Sequence, residues 1–327
     1  MIDDKVVITK TPLRISFIGG GTDMPYFYKK NSGATISCAI NRYIYVTAKY
    51  HNNYQEKYRL NYSETENTNK LNNIKNLRIR KVIEMLKIKR PLYINTFADI
   101  PANSGLGSSS SFTVGLINAL GKLKNKKFSK NELAEMAYKI ESDITKNSLG
   151  KQDHYIAAYG GIKHIKYMKN KVLVSSLKLK NKNLNMFLES LLLIWTGKNR
   201  LATNVLKDQK KNFSKNQNNL LILNNLAKKF KREIVKSKVN INKLGNLISE
   251  TWNLKKKFSK YISNNYIDSI FKKIENKGIY GGKLLGAGNG GFILILSSGK
   301  KKKILMKYLK NYKYLDIKIE NNGSMIL

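Results

Sequence analysis

Residues able to do chemistry gather in a few short stretches. In Pro101-Ala102-Asn103-Ser104-Gly105-Leu106-Gly107-Ser108-Ser109-Ser110-Ser111, glycines and serines stand between an apolar run, Leu92 to Ile100, and the segment Phe112 to Leu123. The first reads as a strand and the second as a helix. The loop therefore delivers a helix N-terminus, where unpaired N–H groups and the helix dipole favour an anion. Glycine lets the backbone close around phosphate oxygens without a Cβ in the way. Serine hydroxyls donate to phosphate or ligate Mg²⁺. This suits a nucleotide phosphate loop, although a plain strand-to-helix turn capped by serine uses the same letters.

A second stretch, Gly19-Gly20-Gly21-Thr22-Asp23, closes the β-branched segment Val6 to Ile18. Its glycines allow close backbone approach to a ligand, while Thr22 and Asp23 offer a hydroxyl and a carboxylate suited to sugar or polyol hydroxyls. Arg14, just upstream, is a permanent cation. An Asx turn at Asp23 and a surface Arg14 would account equally well for these residues alone. A third stretch, Gly286-x-Gly288-x-x-Gly291, has the letters of a dinucleotide fingerprint. That fingerprint needs a helix straight after the glycines. Here Phe292 to Leu296 reads as strand, so a Rossmann site is excluded and a Gly-rich strand–turn–strand that can line a site remains. Taken singly, Glu141 reads as a solvated helix face and Asp153 as the N-cap of Tyr155 to Tyr159.

The elements that must position these residues follow from periodicity. Strands are expected over Val6–Ile18 (one or two, interrupted at Pro12), Ala34–Ala39, Ile44–Tyr50 and Glu56–Tyr62, with a loop over 67–76. A helix is expected over 76–89. Asn131–Ile144 is a helix capped by Ser129, with Leu133, Met136, Ala137 and Ile140 in its apolar stripe. Ile162–Met168 and Val172–Leu177 suggest a hairpin, and Leu191–Trp195 a buried strand. From Ala202 to Ile274 the pattern is helical with Lys-rich faces. Strands at Ile279–Leu285, Phe292–Leu296 and Leu315–Ile319 enclose a helix over Lys300–Asn311. The change of texture places a boundary near 180–200.

The chain has 327 residues, 42% of them hydrophobic, enough for two lobes around a cleft. Lys and Arg number 61 against 21 Asp and Glu, a formal charge of +40. Lys comes with abundant Asn, Ile and Tyr, residues that share A/T-rich codons, and the cations are spread along the chain. Codon bias accounts for much of the excess; a functional basic surface is the other reading. The single cysteine, Cys38, excludes an intrachain disulfide and fits a reducing cytosol. The three histidines, His51, His154 and His164, show no metal-ligand spacing. No signal-peptide core follows Met1, and no apolar run approaches the roughly 18 residues of a membrane span. The expectation is a cytoplasmic protein with no membrane and no nucleic-acid partner.

In order, Pro12-Leu13-Arg14 through Asp23, Pro101 through Ser110, and Leu285 through Gly291 resemble the three motifs of the GHMP kinases (galactokinase, homoserine kinase, mevalonate kinase, phosphomevalonate kinase). The resemblance covers nearly the whole chain. It implies an α+β, two-domain GHMP kinase fold. Residues 1–185 would form an N-terminal domain like ribosomal protein S5 domain 2, with a left-handed β-α-β crossover against the usual rule. Residues 186–327 would form a C-terminal α/β domain. It implies ATP and Mg²⁺ as cofactors. Carried over residue by residue, Asp153 matches the catalytic aspartate that orients or deprotonates the acceptor hydroxyl, and Arg14 the cation that stabilises that oxygen. Pro101, Asn103, Ser104, Gly105, Leu106, Gly107, Ser108, Ser109 and Ser110 would hold ATP, with Ser109 and Glu141 at the metal. Gly20, Gly21, Thr22, Asp23, Gln152 and Gly288 fall to the acceptor.

Within the family, Thr11-Pro12-Leu13-Arg14-Ile15-Ser16, the Gly-Gly-Gly-Thr-Asp run, Lys151-Gln152-Asp153 followed by Tyr155, and Gly160-Gly161 look most like the D-glycero-D-manno-heptose 7-phosphate kinases. Galactokinases typically carry Glu and His at the positions of Gly20 and Gly21. His154 stands where the heptose branch is expected to have Gln. That likeness implies phosphorylation of the anomeric hydroxyl of a heptose 7-phosphate, giving the 1,7-bisphosphate for nucleotide-activated heptose. A distal phosphate would need a basic clamp away from the reacting end, for which Lys198, Arg200 and Lys283 are candidates, Arg200 preferred because its fork can bind phosphate bidentately. Fucose, a galactose-like sugar or a small alcohol is the alternative acceptor; a basic RNA-associated protein is the alternative class. The oligomeric state is left open, a homodimer included.

Overall fold

The computed structural model describes residues 5–51, 57–146, 148–199 and 202–327. The backbone runs through β1 (Val7–Ile18), α1 (Pro25–Asn31), β2 (Gly33–Tyr50), β3 (Tyr58–Asn61), β4 (Thr65–Thr68), α2 (Leu77–Met85), β5 (Leu92–Ala98), α3 (Ser108–Leu123), α4 (Lys130–Ile144), α5 (Gln152–Tyr159), β6 (Ile162–Tyr167) and β7 (Val172–Ser176). It continues through α6 (Asn181–Ser190), β8 (Leu191–Trp195), α7 (Ala202–Lys211), α8 (Gln217–Ile234), α9 (Ile241–Lys256), α10 (Asn265–Ile274), β9 (Ile279–Leu284), β10 (Phe292–Ser297), α11 (Gly299–Tyr308), β11 (Tyr314–Leu315) and β12 (Met325–Ile326).

The first sheet is built on β2. Its first half pairs with β6 and its second half with β5, while β1 runs antiparallel along both halves. The expected break between Ala39 and Ile44 is absent. Pro12 faces Tyr43 and Leu13 faces Ile40, so Asn41 and Arg42 bulge out of register without ending either strand. Proline has no N–H for the ladder, and a bulge is where a sheet tolerates it. The strand order is β12-β1-β2-β5-β3-β4, with β6 and β7 branching from β2. β3 and β5 are parallel, joined through β4 and α2. β4 occupies the start of the segment expected as loop, and Glu56 of the expected third strand lies outside the described residues.

α3 lies on β1 and β2, where Thr9 Oγ1 donates to Gly115 O at 3.0 Å. Its apolar face, with Val114, Ile117 and Leu120, is fully buried. The helix starts at Ser108, four residues before the expected start, so the serines form its first turn.

The second sheet is antiparallel, in the order β11-β8-β10-β9, with α9 packed on β9. The helical block 202–274 resolves into four helices with apolar stripes; in α8, Leu220, Leu223, Ala227, Phe230 and Ile234 recur at helical spacing and are buried. The expected division at 185/186 falls inside α6. β12 then returns to pair with β1, so the chain's end completes the first sheet. Of the expected closing strand Leu315–Ile319, Leu315 pairs with β8 and Ile319 bridges to Ile40. Among the described residues, no helix is long and apolar enough to cross a membrane.

Candidate active site

Between the two sheets lies a cavity of about 500 Å³. Three loops meet there. Arg14 N donates to Leu106 O at 2.9 Å, tying β1 to the Gly/Ser loop. Phe292 N donates to Ser104 O at 3.0 Å, tying that loop to the β9–β10 turn. Asn103, Gly105, Gly107 and Ser108 to Ser110 line one end of the cavity. Gly107 is the N-cap of α3 with φ +78°, a left-handed conformation that glycine adopts without strain. The amides of the first turn of α3 are thereby presented at the cavity.

At this end Glu141, from α4, is almost fully buried. Its Oε1 receives Ser109 Oγ in a short hydrogen bond, Arg78 Nε at 2.5 Å and Thr113 Oγ1 at 3.2 Å. Its Oε2 receives Ser110 Oγ and His154 Nε2, each at 2.8 Å. Burial alone would raise its pKa. The hydrogen bond from His154, the charge of Arg78 and the Ser109 hydroxyl outweigh that and hold the carboxyl well below its ordinary value.

Across the cavity, Arg14 grips Asp153 with two parallel bonds, Nε to Oδ1 at 2.7 Å and Nη2 to Oδ2 at 2.5 Å. Its Nη1 donates to Gly105 O at 2.6 Å, so one guanidinium joins the carboxylate to the phosphate loop. Burial would raise the pKa of Asp153, but Arg14 outweighs it and keeps Asp153 below the ordinary range. The Asp153 side chain is 23% exposed towards the cleft, against 5% for Arg14.

Asp23 is held by backbone. Gly21 N donates to its Oδ1 at 2.9 Å and Gln152 N to its Oδ2 at 3.0 Å. Burial raises its pKa, partly offset by these two donors. The Gln152 side chain donates to Asp153 Oδ1 at 3.1 Å and accepts from Ser16 Oγ at 2.8 Å, so Gln152 joins the two aspartates, Asp23 through its backbone N–H and Asp153 through its side chain. Lys283 reaches in from β9, 3% exposed, its Nζ donating to Phe17 O at 3.2 Å. Burial, with a contribution from Arg14, pushes its pKa down to about 7.

The sequence matches the GHMP kinases N terminal domain over residues 75–161 and the GHMP kinases C terminal domain over 228–313. It is 30% identical to a D-glycero-alpha-D-manno-heptose 7-phosphate kinase of Campylobacter jejuni, over 94% of each chain. The chain belongs to the GHMP kinases. Another relative, the bifunctional fucokinase/GDP-fucose pyrophosphorylase of Arabidopsis thaliana, is 30% identical over 70% of this chain and 22% of its own length. The crystal structure of a D-glycero-D-manno-heptose 1-phosphate kinase from Bacteroides thetaiotaomicron shares the fold, with a TM-score of 0.80, 23% identity and 98% coverage of each chain.

This GHMP kinase is thus a phosphotransferase acting on an alcohol group, in a family that uses ATP. Mg²⁺ beside a nucleotide takes hard oxygen donors, only one or two of them from protein. The ionised Glu141 and the Ser109 hydroxyl fit that donor set. Among the described residues no cluster of three or more His, Cys, Asp or Glu could hold a metal ion.

Several residues expected at the site stand behind its wall. Thr22 is fully buried; its single hydroxyl proton is shared between Gly19 O and Ala34 O and its oxygen accepts from Ala34 N, which bolts the glycine loop to β2. Leu106 belongs to the core and Ser104 acts through its carbonyl, both fully buried, while Pro101 is exposed outside the cavity. Gly288 packs on the α9–α10 connection, where a Cβ would meet Ile262 Cα at 2.5 Å. Lys198 sits over the Tyr266 ring, 4.6 Å from its centroid. Arg200 lies outside the described residues.

Other wall residues had not been singled out: Arg78, Lys207, Thr251, Lys255 and Phe258. Thr251, Lys255 and Phe258 share one face of the segment that begins as α9, a spacing readable as a helix face but not as a cavity wall. Gly150 has a clearer signal, directly before Lys151-Gln152-Asp153. A Cβ there would meet Asp23 Oδ2 at 2.0 Å.

Proposed function

We propose that this kinase transfers the γ-phosphate of ATP to the anomeric hydroxyl of D-glycero-D-manno-heptose 7-phosphate, giving the 1,7-bisphosphate for nucleotide-heptose biosynthesis. The observation that carries the reading is the Arg14–Asp153 pair, set between the phosphate loop and Asp23. The 30% identity to the Campylobacter heptose 7-phosphate kinase over nearly the whole chain supports the acceptor.

In this reading Ser108 to Ser110 and the amides at the start of α3 receive the ATP phosphates. Glu141 and Ser109 would hold a Mg²⁺ ion, which would supply neutralisation of the phosphate charge. Asp23 and Gln152 orient the sugar and Asp153 accepts a hydrogen bond from the reacting hydroxyl. Because Arg14 keeps Asp153 ionised and weakly basic, the proton is taken late, as the new P–O bond forms. That suits a loose phosphoryl-transfer transition state and an acidic anomeric hydroxyl. Arg14 offsets the charge on that oxygen. Of the candidates for the distal phosphate, Lys283 lines the cavity and Lys198 sits over Tyr266, while Arg200 lies outside the described residues. Buried, free Cys38 fits a cytoplasmic setting.

ADP release with Mg-ATP, measured against a panel of sugars and sugar phosphates, tests this. Turnover confined to heptose 7-phosphate is expected. The fucokinase relative favours one second reading, an unphosphorylated sugar as acceptor. Turnover with fucose or another free sugar, and none with the heptose phosphate, would keep the kinase and discard the heptose assignment.

A further inference from the structure

Glu141 has no acceptor position to spare. Arg78 and Ser109 converge on Oε1, and Ser110 and His154 on Oε2, while the single Thr113 hydroxyl proton is shared between Oε1 at 3.2 Å and Ser109 O at 3.1 Å. An ionised carboxylate offers about four acceptor positions. It cannot also serve a metal ion until a partner withdraws. Ser110, Thr113 and His154 are at most 3% exposed, packed in α3 and α5. Arg78 differs from them. It reaches across from α2, its side chain is 32% exposed, and it lines the cavity together with Asn103, Ser108 and Ser109. It is also a cation on a long stem, repelled by an incoming divalent ion.

We propose that Arg78 is a ligand for the phosphate chain of the nucleotide, held by Glu141 in the arrangement described here and transferred to phosphate oxygens as Glu141 turns to Mg²⁺. The ligand class is a polyphosphate, and the planar guanidinium fork suits two of its oxygens. The exchange leaves neither charge unpaired: Glu141 trades one cation for another, and Arg78 trades a carboxylate for a phosphate. The inference rests on Mg-ATP being the donor. It does not depend on which acceptor is used.

The test is calorimetric binding to the full chain, without turnover, of Mg-ATP and of adenosine. Arg78→Gln is expected to weaken Mg-ATP about 10- to 100-fold, the span of one charged hydrogen-bonded contact, and to leave adenosine within twofold. Arg78→Lys keeps the charge but loses the fork and falls between. Unchanged or tighter Mg-ATP binding by Arg78→Gln, with adenosine unchanged, overturns the proposal, since Arg78 would then only obstruct the metal. If Arg78→Gln loses adenosine as well, the site is damaged generally and Arg78→Lys decides. Weaker Mg-ATP with intact adenosine supports the proposal, and wild-type Mg-ATP affinity overturns it. A wild-type chain that does not bind Mg-ATP would overturn the donor assignment itself.

Discussion

The two ends of the cavity neutralise their carboxylates by different means. At the donor end, Glu141 is surrounded by side chains: two serines, a threonine, a histidine and Arg78. At the acceptor end, Asp23 is fixed by two backbone amides, and Asp153 by a guanidinium that is itself anchored on Gly105 O. Side-chain partners can leave by rotating, whereas backbone partners move only with the fold. On the proposed reading, the Glu141 end can exchange ligands as nucleotide and metal come and go, whereas Asp23, held by backbone, stays in place.

The largest effect should come from Asp153, which Arg14 links to the phosphate loop. Asp153→Asn keeps the shape but weakens the Arg14 pair and removes the charge offered to the reacting hydroxyl. Turnover should fall by about 10²- to 10⁴-fold, with Mg-ATP affinity nearly intact. Steady-state kinetics alongside calorimetry checks this, and unchanged turnover would remove Asp153 from the mechanism.

A smaller effect tests the rigidity of the acceptor end. Gly150→Ala pushes a Cβ into Asp23 Oδ2. The acceptor KM should rise about 10- to 100-fold, the loss of one charged hydrogen bond, while the KM for ATP stays within twofold. Equal changes in both would mean that the two ends are not independent.

The smallest expected effect is a pH dependence. Lys283 carries a folded pKa of about 7, so its charge is present below that pH and is lost as pH rises through it. Arg14 from β1 and Lys255 from α9 share the cavity, where burial raises the pKa of Asp23 and Arg14 holds that of Asp153 below the ordinary range. The KM for a phosphorylated acceptor should climb several-fold between pH 7 and 9. Lys283→Met should have a higher KM that no longer climbs. If wild type and variant show parallel profiles, the distal phosphate is not held by Lys283.

Much of this was legible beforehand, for identifiable reasons. Glycine at a left-handed position, serine at a helix start and alternating β-branched residues act within a few residues of themselves. The Gly/Ser loop, the strand after Gly291 and the stripes of α4 and α8 could therefore be read directly. Asn41-Arg42 misled because a polar pair usually marks a turn, whereas here β1 continues opposite it and absorbs it as a bulge. α1 and α6 were not anticipated, although Pro25 at a first helical position was a usable signal for α1.

By itself the sequence determined the local backbone: which segments are strand or helix, where the glycine turns fall, and that a phosphate loop meets an Asp-bearing loop. Those properties depend on residues near one another along the chain. Only the tertiary structure decided that Arg78 and Glu141, 63 residues apart, form an ion pair, that Gly150 leaves room for the Asp23 carboxylate, and that β12 closes the first sheet. The reason is geometric. Long side chains meet where packed elements bring their ends together, and nothing in the spacing of residues 78 and 141 says that α2 and α4 approach the same end of α3.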